Sequence, residues 1–94
     1  MMRNDSKTAM SYDTFKNITI QQLESLIALL EVGSFTRAAA KLFISQSALT
    51  KQIKNMEASA GARLVIRGNR GIALTSEGQI LYGYAKRIIR LREN

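Results

Sequence analysis

The fold of this chain is decided by residues 34–56, which read SFTRAAAKLFISQSALTKQIKNM. The first half of this stretch carries four apolar residues that share one face of a helix, namely Phe35, Ala38, Ala39 and Leu42. Two of them are alanines, whose small side chains let a second helix cross closely. Ser34 stands immediately before the stripe and is a favoured residue for the N-cap. This half therefore predicts a short helix that packs against a neighbour.

The second half of the stretch predicts a helix with two distinct faces, running from about Gln46 to Ser59. Ser45 is a suitable N-cap, and Gly61 ends the helix. The apolar face consists of Leu49, Ile53, Met56 and Ala60, and the polar face consists of Ser47, Thr50, Lys51 and Lys54. Residues 43–45 form the short turn between the two helices. This arrangement is typical of a helix-turn-helix, in which the second helix enters the DNA major groove.

Residues before the stretch predict another helix. Thr19 and Gln22 fit a capping box, and Gly33 is placed to end the helix. Its apolar stripe consists of Ile20, Leu23, Ile27 and Leu30, with Leu26 beside them. We interpret this stripe as part of the core and assign it no functional role.

Residues after the stretch predict a β-hairpin. Two short extended runs, 63–67 and 72–74, flank a turn with the sequence Gly-Asn-Arg-Gly. We expect Leu64 and Ile66 to share one side of the first run, with Val65 on the other side. Such a hairpin would form a wing whose Arg67 and Arg70 contact DNA phosphates or the minor groove.

A last helix follows the hairpin, with Thr75 as its cap and Glu77 in the first turn, where the helix dipole favours an anion. Its apolar residues Leu81, Tyr84, Ile88 and Leu91 are spaced 3, 4 and 3 apart. This narrow seam is typical of two helices that bury each other, so we predict a homodimer through this helix. The competing interpretation is a frayed helix left by truncation, because Arg90 and Arg92 would repel their counterparts across a close antiparallel crossing. We expect Ile80 to cover the domain's own core.

The predicted fold class is mainly α with a small β-hairpin, a winged helix-turn-helix followed by a long linker helix. We divide the chain into a flexible N-terminal tail over residues 1–17, the winged helix-turn-helix over residues 18–75, and the linker and dimerisation helix over residues 76–94. The tail is polar and shows no apolar period.

Composition narrows the possible functions. The chain has 94 residues and a net charge of +7, which indicates an anionic partner, with nucleic acid first and a membrane surface second. From Phe35 to Arg70 there are seven cationic residues, and Glu57 is the only acidic one. A membrane-surface helix would use Lys86, Arg87, Arg90 and Arg92.

The chain contains no cysteine and no histidine, so disulfides, thiolate metal sites and the commonest general base are excluded. The carboxylates show no pairing suited to acid–base catalysis; they are Asp5, Asp13, Glu24, Glu31, Glu57, Glu77 and Glu93. We therefore predict a protein that is not an enzyme and that binds neither a metal nor a cofactor within this chain. With no signal-peptide core or stretch of transmembrane length, we expect a cytoplasmic protein with no membrane partner.

The motifs above resemble the signature of LysR-type transcriptional regulators. The resemblance rests on the ordered residues 33–39, Leu42 and residues 45–53, and continues through Glu57, Gly61, Leu64, Arg67, Arg70, Leu74, Thr75 and Gly78. It covers residues 18–94. It implies a sequence-specific, dimeric protein that binds double-stranded DNA. It also implies a small-molecule effector bound by a C-terminal domain, and we expect this chain to be truncated before that domain.

In this family, residues at the positions of Gln46, Ser47, Thr50 and Lys51 meet bases or nearby phosphates, and a wing arginine meets DNA beside the site. The resemblance and the residue pattern together predict one set of DNA-contacting residues: Thr36, Arg37, Ser45, Gln46, Ser47, Thr50, Lys51, Lys54, Arg67 and Arg70. The chain departs from the family pattern at Ser47, where proline is usual, and at Val65, where phenylalanine is frequent. Base preference beside Ser47 and the packing of the wing are thus open.

Other interpretations of the same residues remain. The polar stripe of the third helix is equally typical of a solvated helix face, and Arg67 and Arg70 of ordinary surface charges. A nonspecific architectural protein needs cations but no sequence-reading helix. A protein-interaction module is disfavoured because cations crowd the third helix and the wing.

Overall fold

A computed structural model describes residues 17–93, so all of the expected N-terminal tail except Asn17 lies outside the described residues. The elements in chain order are α1 (Ile20–Val32), α2 (Phe35–Lys41), α3 (Gln46–Ala60), β1 (Val65–Gly68), β2 (Gly71–Leu74) and α4 (Ser76–Glu93). The two strands form one antiparallel hairpin. The predicted fold class, a winged helix-turn-helix followed by a long helix, is confirmed.

The helix ends follow the local chemistry of the sequence. Thr19 and Gln22 form the expected capping box, with hydrogen bonds of 3.0 Å in both directions. The Ser34 and Ser45 side chains accept hydrogen bonds from backbone N–H groups in the first turns of α2 and α3. Two glycines in the left-handed conformation end α1 and α3, Gly33 at φ 79° and Gly61 at φ 69°. These caps satisfy backbone groups that helix ends leave unpaired.

The core lies where α1, α2, α3 and α4 meet. All four apolar residues predicted for α3 are buried, which confirms its inner face. The stripe predicted for α1 is shifted: Leu26 and Leu29 are completely buried, whereas Ile20 is 39% exposed. The reason is that α1 packs against three helices at once, so its buried surface is wider than a single amphipathic stripe.

The hairpin corrects one sequence expectation. Leu64 and Val65 are both buried, whereas Ile66 is 48% exposed, so Leu64 and Ile66 do not share an inner side. The strand begins only at Val65, and Leu64 precedes it in irregular backbone. Because side chains alternate along a strand, an inward Val65 points Ile66 to solvent. Arg67 then lies on the inner side, opposite Ile72 in the register.

Leu64 is the junction between α3, the hairpin and α4. Its N–H donates to the Glu57 Oε2 atom at 2.8 Å, and its carbonyl accepts from the Thr75 N–H at 3.0 Å. The Thr75 hydroxyl in turn accepts from the Gly78 N–H at 3.0 Å, which caps α4 as predicted. A β-carbon added at Gly78 would overlap the Leu64 carbonyl oxygen. Only glycine therefore lets α4 begin so close to the hairpin.

Helix α4 covers the core through Gly78, Leu81 and Ala85. Leu81 has no exposed surface, whereas Ile80 is 49% exposed, so the expectation that Ile80 covers the core is wrong. The close contact with Leu64 requires glycine at position 78, and Leu81, one helical turn later, is buried on the same side of α4. Leu81 is thus a core residue. At the other end of α4, Arg92 forms an ion pair of 2.6 Å with Glu24 of α1.

We expect Gly78→Ala to lower the free energy of unfolding by about 3 kcal/mol, because the added methyl group must displace backbone rather than a flexible side chain. Gly83→Ala is the matched control on the same helix. Gly83 has open space around it, so the substitution should raise stability by about 0.5–1 kcal/mol through helix propensity. Urea denaturation of both variants measures the difference, and equal stabilities would contradict the close packing at Leu64.

Candidate nucleic-acid interface

The polar face of α3 stands free of the core. Ser47, Lys51 and Lys54 are exposed, and Thr50 is half-buried. Within residues 17–93, neither lysine has an acidic partner in an ion pair. The buried face of α3 fixes the helix against α1 and α2. The exposed face of α3 therefore presents hydroxyl and ammonium groups to solvent, and we refer to α3 as the reading helix.

The start of the reading helix is tied to α2. The Thr36 hydroxyl donates a hydrogen bond of 2.9 Å to the Gln46 Oε1 atom. This bond fixes the orientation of the Gln46 amide. The Nε2 group is left as a donor, and Oε1 keeps a second lone pair as an acceptor. A glutamine amide with both functions available can pair with the two groups that adenine presents in the major groove. Thr36 thus positions Gln46.

Two other residues predicted to contact DNA, Ser45 and Arg37, have surroundings that differ from those of Gln46. The Ser45 hydroxyl accepts from the Ala48 N–H at 3.0 Å and lies 3.3 Å from the Ser47 hydroxyl, so its first role is to cap the reading helix. Arg37 is exposed on α2. Among the described residues, no hydrogen bond or ion pair joins the Arg37 side chain to the reading helix.

The two wing arginines occupy different places. The Arg67 guanidinium lies 3.9 Å from the centroid of the Phe35 ring, which is a cation–π contact between β1 and the start of α2. Arg70 belongs to the two-residue turn between the strands and is exposed. Arg67 therefore anchors the wing beside the helix pair, whereas Arg70 projects at the tip.

Most of the positive charge on these elements has no ion-pair partner within residues 17–93. Of the seven cationic residues between Phe35 and Arg70, Lys41 pairs with Glu31 and Arg63 pairs with Glu57, each at 3.6 Å. Among the described residues, the other five form no ion pair; they are Arg37, Lys51, Lys54, Arg67 and Arg70. The wing and the helix pair together thus present a positive surface suited to a polyanion.

Sequence reasoning missed three contacts that shape this surface. The Phe35 ring contacts the Arg67 guanidinium, the Glu57 carboxylate binds the backbone of the hairpin, and the Ser25 hydroxyl donates to Gln52 of the reading helix. Ser25 was detectable as a polar residue beside Leu26 and four residues before Leu29. The other two contacts depend on the tertiary fold.

The exposed side of α4 borders an apolar groove. The groove has a volume of about 410 Å³ and is lined by Ile18, Ile20, Leu23, Leu81, Tyr84 and Ile88. Leu91 beyond it is 75% exposed. Of the predicted dimerisation residues, Tyr84, Ile88 and Leu91 are thus accessible, and Leu81 forms only the floor of the groove. On another side of α4, burial raises the pKa of Tyr82 above its usual 10.0, and the negative charge of the Glu31 carboxylate raises this pKa further.

Two other kinds of site were sought among residues 17–93. No group of three or more Asp or Glu residues there is arranged to hold a metal ion. In the same part of the chain, no helix combines the length and apolar character needed to cross a membrane.

Comparisons with known sequences agree with this architecture. A family model described as "Bacterial regulatory helix-turn-helix protein, lysR family" matches residues 20–79. A probable RuBisCO transcriptional regulator of Trieres chinensis is 44% identical over 75 residues, which cover 80% of this chain and 24% of the relative. The regulator BenM of Acinetobacter baylyi is 40% identical over 70 residues, which cover 74% of this chain and 23% of BenM. The chain thus spans about a quarter of these relatives, which are regulators and not enzymes.

Solved structures give the same result. The structure titled "Crystal structure of CbnR_DBD-DNA complex" superposes with a TM-score of 0.73 at 37% identity, covering 80% of this chain and 86% of that one. The structure titled "Crystal Structure of BenM_DBD/catB site 1 DNA Complex" superposes with a TM-score of 0.75 at 37% identity, covering 80% of this chain and 84% of that one. With the family model matching well over half of its residues, the chain belongs to the LysR family of bacterial regulatory helix-turn-helix proteins.

Proposed function

We propose that this chain is the sequence-specific, double-stranded DNA-binding domain of a bacterial LysR-type transcriptional regulator. The observation that carries the proposal is the reading helix, whose polar N-terminal half stands exposed while its opposite face is buried. Such a helix fits the major groove with its N-terminal residues foremost. CbnR and BenM, two related domains whose structures are titled as DNA complexes, support DNA binding by this domain.

The side chains on the reading helix have the chemistry of base recognition. Gln46, oriented by Thr36, can donate and accept at an adenine edge, and Lys51 can donate to guanine. Ser47 and Thr50 offer hydroxyl groups that pair with several base edges. Lys54 lies two turns from the start of the helix, where we assign it to phosphate.

The wing supplies contacts that position the domain. Arg70 at the tip grips the flanking backbone or enters the minor groove, and Arg67 supports it from the Phe35 ring. Arg37 and Ser45 complete the proposed interface at the backbone beside the reading helix. These phosphate contacts carry affinity but little sequence information.

We further propose that two copies pair through α4. The groove beside Tyr84 and Ile88 is apolar, and Leu91 extends the exposed surface toward the end of the helix. Soluble domains seldom leave larger apolar patches uncovered, and a second α4 has the matching seam. A symmetric pair places two reading helices on one face of the DNA. The preferred site is then an inverted repeat with half-sites one helical turn or a multiple apart.

The remaining parts of the proposal concern the whole protein. A small-molecule effector would bind a C-terminal domain, as the greater length of the relatives and an OxyR structure from Corynebacterium glutamicum titled "H2O2-bound" support. OxyR superposes with a TM-score of 0.76 at 31% identity, over 82% of this chain and 25% of that one. Binding to chromosomal DNA would place the regulator at the bacterial nucleoid.

Selection of bound sequences from a random duplex pool tests the proposed function. A sequence-specific reader yields an enriched inverted repeat, and the enriched duplex should bind at least about 10³-fold more tightly than the pool. Retention of all sequences alike would identify a nonspecific architectural protein instead.

Lys51→Ala should cost about 1–3 kcal/mol on the enriched duplex and less on random DNA, because Lys51 is assigned to a base edge. Lys86→Ala is the matched control, since it removes the same charge from α4, away from the reading helix. Fluorescence anisotropy with both duplexes gives the four affinities. Equal losses on the two DNAs for Lys51→Ala would reassign Lys51 to phosphate.

Arg70→Ala should weaken binding to all DNA sequences similarly and lower the slope of log K against log salt by about 0.9, which corresponds to one lost phosphate contact. Titration at several salt concentrations measures this slope, with Arg90→Ala as the control of equal charge. A wild-type slope in Arg70→Ala would remove the wing tip from the interface.

The double substitution Ile88→Asp, Leu91→Asp should convert a dimer to a monomer, because it places charges in the apolar seam of α4. Lys86→Asp, Arg90→Asp on the opposite side of the same helix is the matched control and should remain dimeric. Sedimentation equilibrium gives the masses. A monomeric parent chain that binds a single half-site as tightly as the full repeat would disprove dimerisation through α4.

A further inference from the structure

We propose that the hydrogen bond between Ser25 of α1 and Gln52 of the reading helix is a positioning contact that sets the rotation of that helix, and through it the discrimination between DNA sequences. The Ser25 hydroxyl donates to the Gln52 Oε1 atom across 27 residues of sequence. This inference rests on the proposed function, because a rotation of α3 matters only if α3 reads bases.

Ser25 is an unusual residue in this core. Its exposure is 2%, and it is the one buried polar side chain among residues 17–93. Removing a hydroxyl from water costs free energy unless a hydrogen bond replaces the lost one. The Gln52 amide provides that bond, so the burial of Ser25 favours a single relative placement of α1 and α3.

The position of Gln52 makes this bond suitable for controlling rotation. Gln52 stands between Lys51 of the polar face and Ile53 of the buried face, at the boundary between the two. The apolar contacts of the reading helix are non-directional, and Met56 among them is adaptable in shape. The Ser25 bond is directional and acts on the flank of the helix, where it opposes rotation about the helix axis.

A small rotation is enough to affect base recognition. The side chains of a helix extend about 5–6 Å from its axis, so a rotation of about 15° moves a contacting atom by about 1.5 Å. Hydrogen-bond distances tolerate only about 0.5 Å of variation. Base contacts from Gln46 and Thr50 would therefore be lost, whereas the long Lys54 side chain can still follow a phosphate. The rotation should lower discrimination more than nonspecific affinity.

A purely structural role predicts a different result. Loss of stability reduces the folded fraction equally for every DNA sequence, so it leaves the ratio of specific to nonspecific affinity unchanged. The ratio therefore separates positioning from stability. A double variant separates the two roles further. Replacing both hydrogen-bond partners by apolar groups restores stability, but it does not restore the directional contact between the two helices.

The test uses the 94-residue chain, the duplex enriched by selection and a random duplex pool of equal length. Ser25→Ala should lower the affinity ratio about tenfold, the equivalent of one weakened base contact. Ser25→Ala, Gln52→Met should regain the melting temperature of the parent while the ratio stays low. Ile53→Val, which removes one buried methyl group from the same helix, is the control and should keep the parent ratio.

If both Ser25 variants kept the parent's ratio of specific to nonspecific affinity, the inference would be overturned and Ser25 would have a structural role only. An equal loss in Ile53→Val would also overturn it, because any core change would then have the same effect. A parent chain that enriches no sequence from the pool would overturn the proposed function and this inference together.

Discussion

The hydrogen bonds on both sides of Leu64 are the constraint on which the rest of the structure depends. The N–H group binds the Glu57 carboxylate near the end of α3, and the carbonyl binds the N–H of Thr75 at the start of α4. The missing side chain of Gly78 lets α4 approach the same carbonyl. One buried residue thus fixes the reading helix, the wing and the linker helix relative to one another, and with them the surfaces proposed to bind DNA and a second copy.

Local chemistry was sufficient to predict the elements. Capping residues such as Thr19, Ser45 and Gly61 act within a few positions of themselves, so their roles are visible in the sequence. The buried face of α3 follows from the helical period alone, since one side of that helix meets the core. The fold class followed from the order of these elements.

Tertiary packing decided what the sequence pattern left open. Ile66 was expected to share a side with Leu64, and Ile80 was expected to cover the core, yet both are about half exposed. In each case the backbone enters the element at a point fixed by Leu64 contacts, which shifts the buried face by one residue to Val65 or Leu81. Such a shift depends on residues distant in sequence, and no local pattern reveals it.

The polar residues of the candidate interface were identifiable, but their partners were not. The pairing of Thr36 with Gln46 and the stacking of Arg67 on Phe35 join separate elements. Both contacts hold a group through interactions within the domain, so these two parts of the candidate interface are preorganised. The sequence predicted which groups could touch DNA, and the structure adds which of them are held in place.

Amide chemical-shift mapping of the ¹⁵N-labelled chain during titration with its enriched duplex tests most directly whether the reading helix and the wing act as one DNA-binding surface. We expect the largest changes at residues 46–54 and 68–71, with the same dependence on DNA concentration in both segments. Changes confined to residues 84–91 of α4, with the reading helix unaffected, would contradict this account.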